Sequence, residues 1–142
     1  MSNATRVRIF AIAVVVVIVP IGLFARSHRA GADPGTLIGF LATYVGDTLW
    51  PILFFFLGRF VWPSARMLHL FIGTLALTFA IEFSQLWQPD WLQWLRTQPV
   101  IGFILGNSFI WSDVVCCFVG AGIAVGLDSF KQLLDDDSGT DR

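Results

Sequence analysis

Glu82 is the only glutamate in the chain and lies at the end of a long apolar stretch, in Ile81-Glu82-Phe83-Ser84-Gln85-Leu86-Trp87-Gln88. An ionisable side chain in such a setting is costly unless it turns inward and finds partners, so it is read first as a functional group. Gln85 follows three residues later and shares the face of Glu82 on a helix. Asp47, in Gly46-Asp47-Thr48-Leu49-Trp50, and Asp113, in Trp111-Ser112-Asp113, interrupt apolar sequence in the same way. Arg96 lies in a polar stretch between Glu82 and Asp113. A guanidinium can hold a carboxylate or a phosphate in a bidentate fork. Three acids sharing one arginine leave room for a protonated carboxyl beside an ionised one, which would form an acid/base pair. The same residues also suit a purely structural polar network.

Composition says what surrounds these groups. The 142 residues are 56% hydrophobic and only 13% charged, with a mean hydropathy of +0.73. Water-soluble domains carry roughly 25% charged residues, so the deficit points to an all-α integral membrane protein. The net charge of −1 gives no reason to expect nucleic acid as a partner. Six Trp and fourteen Phe suit broad lipid contact and interfacial aromatic belts. Cys116 and Cys117 are adjacent within an apolar run and form no metal-ligand spacing, so they read as small packing residues. His28 and His69 are not placed to join the acids. No cofactor, metal site or nucleophile motif is indicated.

Four spans are expected, at about 8–25, 37–61, 67–87 and 109–127, within one polytopic domain over 1–130. The first has an alternative reading as a signal peptide, with Ala30-Gly31-Ala32 as its cleavage site; an uncleaved helix fits its length better. The second either runs unbroken through Pro51 or begins near Asp47, which would then cap it; the cap is the favoured role for Asp47. Trp91 to Arg96 reads as an amphipathic, Trp-rich interfacial turn or short helix. The stretch 97–107 is too short to span, so an interfacial or re-entrant segment is expected between the third and fourth helices. Gly122 and Gly126 form a small-xxx-small pair suited to close helix packing or a homo-oligomer contact. Residues 131–142, with Asp135-Asp136-Asp137, read as a disordered acidic tail.

Alternating helix direction then does the positioning. Asp47, Glu82 and Asp113 reach one level of the membrane, and Arg96 lies on the same side. Arg6, Arg8, Arg59, Arg66 and Lys131 fall on the opposite face, against Arg26, Arg29 and Arg96. The excess of cations puts both termini in the cytoplasm.

These motifs carry a resemblance. Gly46-Asp47-x-Leu49-Trp50, Ile81-Glu82-Phe83-Ser84-Gln85-Leu86, Arg96, Leu105-Gly106-x-x-Phe109-x-Trp111-x-Asp113 and Gly120 together resemble the domain of unknown function 2809 family, over about residues 36–127. These are small bacterial membrane proteins, distantly similar to VanZ-like proteins associated with glycopeptide (teicoplanin) resistance. The resemblance implies a bacterial plasma-membrane location and points to Asp47, Trp50, Glu82, Gln85, Arg96 and Asp113 as ligand-binding residues. It carries no established reaction. Cys116-Cys117-Phe118 stands where the family pattern leads one to expect an aromatic such as Tyr, so a hydroxyl is missing there.

Three functions compete. A polar outer-leaflet pocket would hold a lipid head group, a cell-wall precursor or an antibiotic-like, glycopeptide-like molecule. An intramembrane enzyme would use Glu82 and Asp113 as an acid/base pair on a lipid-linked substrate. A structural subunit would use the same groups to fix helix register.

Overall fold

The structure, a computed structural model, describes residues 2–29, 36–98, 101–102 and 109–140, and within these all side chains except those of 26–29, 41–42 and 136–140. It is all-α: α1 (Asn3–Arg29), α2 (Leu37–Val61), α3 (Met67–Ser84), α4 (Asp90–Thr97) and α5 (Trp111–Thr140). All except α4 are long and apolar enough to cross a membrane. Without water to satisfy backbone groups, such runs close their hydrogen bonds within the helix.

α2 is the hub, packed against α1, α3 and α5; α5 also packs on α3, whereas among the described residues α1 packs on α2 alone. Neighbouring contacts fix the directions. Gly22 of α1 faces Leu49 and Gly46 of α2 faces Ala25, so α1 and α2 run antiparallel. Arg8 Nε donates to Phe60 O at 3.1 Å, tying the start of α1 to the end of α2. Gly58 faces Leu70, placing α3 antiparallel to α2. Phe79 packs edge-on against Phe118 at 5.2 Å between α3 and α5. The core is aromatic and small by turns: Phe55 and Phe56 of α2 are fully buried against Ala11, Ile18, Leu70 and Ala124.

α2 is continuous, so Asp47 does not cap it. Thr36 does, its Oγ1 accepting from Gly39 N at 3.1 Å. Pro51 therefore sits inside the helix, where its missing N–H leaves the Asp47 carbonyl without its usual helical donor. Close α2–α5 contact falls beside it: a Cβ on Gly120 would collide with the Thr48 carbonyl and the Pro51 ring. Gly120, and not the Gly122/Gly126 pair, makes this approach; both of the latter face open space within the chain.

Other boundaries shift. α3 stops at Ser84, not Trp87; Gln85, Leu86 and Trp87 donate to carbonyls three residues back, and Pro89 ends the run. α5 extends to Thr140, where a disordered tail was expected; Lys131 pairs with Asp135 one turn on and supports the extension. α4 provides the amphipathic element near Arg96. The re-entrant or interfacial reading of 97–107 falls largely outside the described residues, as do Ala30–Ala32 and the Leu105-Gly106 part of the motif.

Candidate functional site

The polar site is built by three helices whose inner faces turn polar at the same end. On α3 the inward stripe is Leu70, Thr74, Thr78 and then Glu82 and Gln85, spaced by three or four residues. Gln85 is buried, and Glu82 Oε2 and Gln85 Oε1 are both shielded from solvent. On α5 the inward stripe is Asp113, Cys116, Cys117, Gly120, Ala121 and Ala124, all buried. On α2 it passes through half-buried Asp47 and Thr48.

Cys116 is where these faces meet. Its thiol lies within hydrogen-bonding reach of Thr48 and within electrostatic range of Asp47, Asp113 and Glu82. Cys117, beside it, reaches Thr78 and also feels Glu82 and Asp113. A thiol pair that the sequence reading set aside as packing thus has acids of other helices in its electrostatic surroundings, Asp47 and Glu82 for Cys116 and Glu82 for Cys117. The polar groups Thr48 and Thr78 were also missed. Their hydroxyls donate to carbonyls of their own helices, Thr48 to Tyr44 O at 2.7 Å and Thr78 to Thr74 O at 3.0 Å, which lets threonine pass as apolar in a hydropathy sum.

Two of the charged residues are partly balanced by helix ends. Asp113 lies in the first turn of α5, where free N–H groups favour an anion, and Ser112 Oγ donates to its Oδ1 at 3.2 Å. Arg96 was expected to meet the carboxylates. Its described hydrogen bond instead runs from Nη2 to Ser84 O at 2.7 Å, at the carbonyl-rich end of α3. Its Nε is buried with no hydrogen-bond partner among the described residues. Trp50 is half-buried and stacks on Phe54 of its own helix, with ring centroids 5.6 Å apart. Among the described residues no group of three His, Cys, Asp or Glu side chains could hold a metal ion.

A second polar centre, absent from the sequence reading, closes the other end. Asp128, one residue past the expected limit of the fourth span, forms a bidentate ion pair with Arg59 of α2, and both are buried. Arg59 Nη1 also donates to Ala65 O at 2.7 Å, and Gln132 Nε2 donates to Asp128 Oδ2 at 2.9 Å. Asp47 and Arg59 are separated by 12 positions, or about 18 Å of helix. Pro51, Ile52, Phe55 and Phe56 fill the buried face of α2 between them. A sequence signal did exist: Asp128 continues the Cys117, Ala121, Ala124 spacing.

The family model for proteins of unknown function DUF2809 matches residues 36–121. That stretch begins at the Thr36 cap of α2 and ends at Ala121, so it holds the whole thiol–carboxyl cluster and leaves out α1 and Asp128. No solved structure matches the chain.

Proposed function

We propose that this chain, which belongs to the DUF2809 family, is a multi-pass plasma-membrane protein of bacteria that binds a small polar ligand between α2, α3 and α5. Asp47, Glu82, Gln85 and Asp113 are its contacts, with Trp50 and Arg96 at its margin. What supports this is that Asp47, Glu82 and Asp113, from three separate helices, all act electrostatically on Cys116. Holding acids together inside an apolar bundle is costly, and one neutral hydrogen-bonding pair would fix helix register at less expense.

The electrostatics favour the kind of ligand. Arg96 is committed to the end of α3 and Asp113 to the start of α5. Carboxyl groups at the contacts suit a ligand that brings hydrogen-bond donors, such as an amine or a set of hydroxyls. A lipid head group, a cell-wall precursor or a glycopeptide-like molecule each offers such donors. The distant likeness to VanZ-like proteins is the reason for testing the last.

Native mass spectrometry in nanodiscs tests the reading with three probes: phosphatidylethanolamine, phosphatidylglycerol and a soluble glycopeptide antibiotic. Wild-type protein should retain the amine-bearing probes, phosphatidylethanolamine and the glycopeptide, over phosphatidylglycerol. Glu82→Gln and Asp113→Asn should each weaken that retention about tenfold, the effect of losing one charge-assisted hydrogen bond. Equal retention of every probe by all three proteins would remove the ligand-site reading.

A further inference from the structure

We propose that α4 is an interfacial helix, whose Trp91 and Trp94 side chains dock into the head-group layer of one lipid leaflet at the end of the bundle that carries Glu82.

The eight residues of α4 divide its circumference into three sectors. Leu92 and Arg96, one turn apart, face the protein. Leu92 is buried, and Arg96 Nη2 donates to Ser84 O at 2.7 Å, at the end of α3. Asp90, Gln93 and Thr97 share a second side, and all three are exposed. Trp91 and Trp94 form the third, 54% and 63% exposed, with half-buried Leu95 between them and Leu92. Two exposed indoles on one side are unfavourable in water, and a carboxylate with two polar neighbours on another is unfavourable in lipid. A helix lying in the plane of the interface meets both demands, with its apolar side sunk into the boundary between head groups and acyl chains.

The surrounding indoles fix the level. Trp87 packs edge-on against Trp91, with ring centroids 5.6 Å apart, and is itself exposed. Trp111, the first residue of α5, is exposed too, and is joined to the end of α3 through Phe109, which stacks on Phe83 at 5.9 Å. Four of the six tryptophans are therefore exposed at one end of the bundle. Trp62, also exposed, marks the opposite end, just past Arg59 on α2. The Arg59–Asp128 pair brings α2 and α5 into register there. Seventeen positions separate Trp111 from Asp128 and three separate Arg59 from Trp62, so the two levels lie about 30 Å apart along the helices. That is the thickness of a hydrocarbon core, and indoles collect at its two boundaries. A lipid leaflet, not a second protein surface, is thus the occupant that the spacing selects. Because Arg96 holds Ser84 O, the end of α3 is kept at the same level, and Glu82 lies about 3 Å deeper. For the ligand site proposed above, this puts the acids within reach of a head group from the same leaflet; that consequence rests on the ligand reading, whereas the placement of α4 does not.

Full-length protein in phosphatidylcholine vesicles tests the placement in two ways. In the first, Cys116→Ala and Cys117→Ala provide the background. Asp90→Cys, Trp91→Cys, Gln93→Cys, Trp94→Cys and Thr97→Cys are added singly and spin-labelled. Collisions are measured with oxygen, which concentrates in lipid, and with a nickel chelate, which stays in water. Oxygen should dominate at 91 and 94, and nickel at 90, 93 and 97. A nickel excess at all five positions, or few collisions with either reagent at 91 and 94, overturns the proposal: the first puts α4 in water and the second puts it under protein. The second measurement keeps the native cysteines. The fluorescence lost in the double variant Trp91→Phe, Trp94→Phe isolates these two indoles. Lipids brominated near their carbonyls should quench that fraction more than lipids brominated at the chain ends, and more than acrylamide in water. Stronger quenching by either of the other two reagents overturns the interfacial placement. Neither measurement includes a ligand, so α4 and the ligand site stand or fall separately.

Discussion

Arg59 and Asp128 face each other through both carboxylate oxygens, with Ala65 O and Gln132 Nε2 taking up further hydrogen-bonding capacity. Removing one member of a buried pair leaves the other charge without compensation, at a cost of about 3–5 kcal/mol. Asp128→Asn and Arg59→Met should each lower the denaturation midpoint in micelles by that order. The double variant Arg59→Met, Asp128→Leu should recover most of the loss, because no buried charge then remains. Recovery would identify the pair as a structural clamp; a double variant as unstable as the singles would assign it a further role. This centre was illegible in the sequence for a simple reason. Arg59, near the end of the second span, was counted only among the orienting cations, and the fourth span was ended at Leu127, where apolar sequence gives way to a charge. An apolar run cannot announce a charge whose partner is 69 positions away. The acids of the other centre were legible because each interrupts an apolar run on its own. The thiols between them were not, since cysteine is as much at home in a core as alanine.

Among the elements, α2 and α5 cross closely at Gly120. Gly120 lets the Thr48 carbonyl and Pro51 ring approach α5 closely, and this contact lies one turn from Asp47 on α2 and from Cys116 on α5. Small residues allow such approach where no hydrophobic effect drives helices together. Gly120→Ala should force the helices apart at an overpacking cost of about 1–3 kcal/mol, and should also shift the carboxyls relative to one another. Gly122→Ala is its control: that position is open within the chain, so stability should be unchanged. If Gly122→Ala instead changes the oligomeric state by light scattering, the face belongs to a contact between copies. Length and hydropathy made the number and kind of long helices readable in advance. Which glycine packs was not readable, because the Gly122/Gly126 spacing is conspicuous whereas Gly120 depends on the rotation of α5. Helix ends were also only roughly legible, as at Ser84, where three-residue hydrogen bonds finish α3 before Pro89.

At the scale of the whole molecule, the two polar centres occupy opposite ends of α2, and the cations divide between those ends. Eight of the nine cations, Arg142 aside, divide five against three, but two of them are engaged inside the protein. Arg59 is neutralised by Asp128, and Arg96 is bound to the carbonyl end of α3. Orientation is set by basic residues near the ends of spans, which leaves Arg6, Arg8, Arg66, Lys131 and Arg142 against Arg26 and Arg29. We therefore expect both termini in the cytoplasm. A C-terminal fluorescent-protein fusion should be bright, and a C-terminal alkaline phosphatase fusion should be inactive. Arg6 and Arg66 are exposed, so replacing both with Gln removes two orienting charges while leaving the Arg59–Asp128 pair in place. The balance falls from five against two to three against two, and a fraction of the population should invert, with phosphatase activity rising above background as fluorescence falls. Arg59→Gln alone should change the stability but not the orientation. If it flips the protein while the double variant does not, the ion pair forms only after insertion, and Arg59 acts as a free cation while topology is decided.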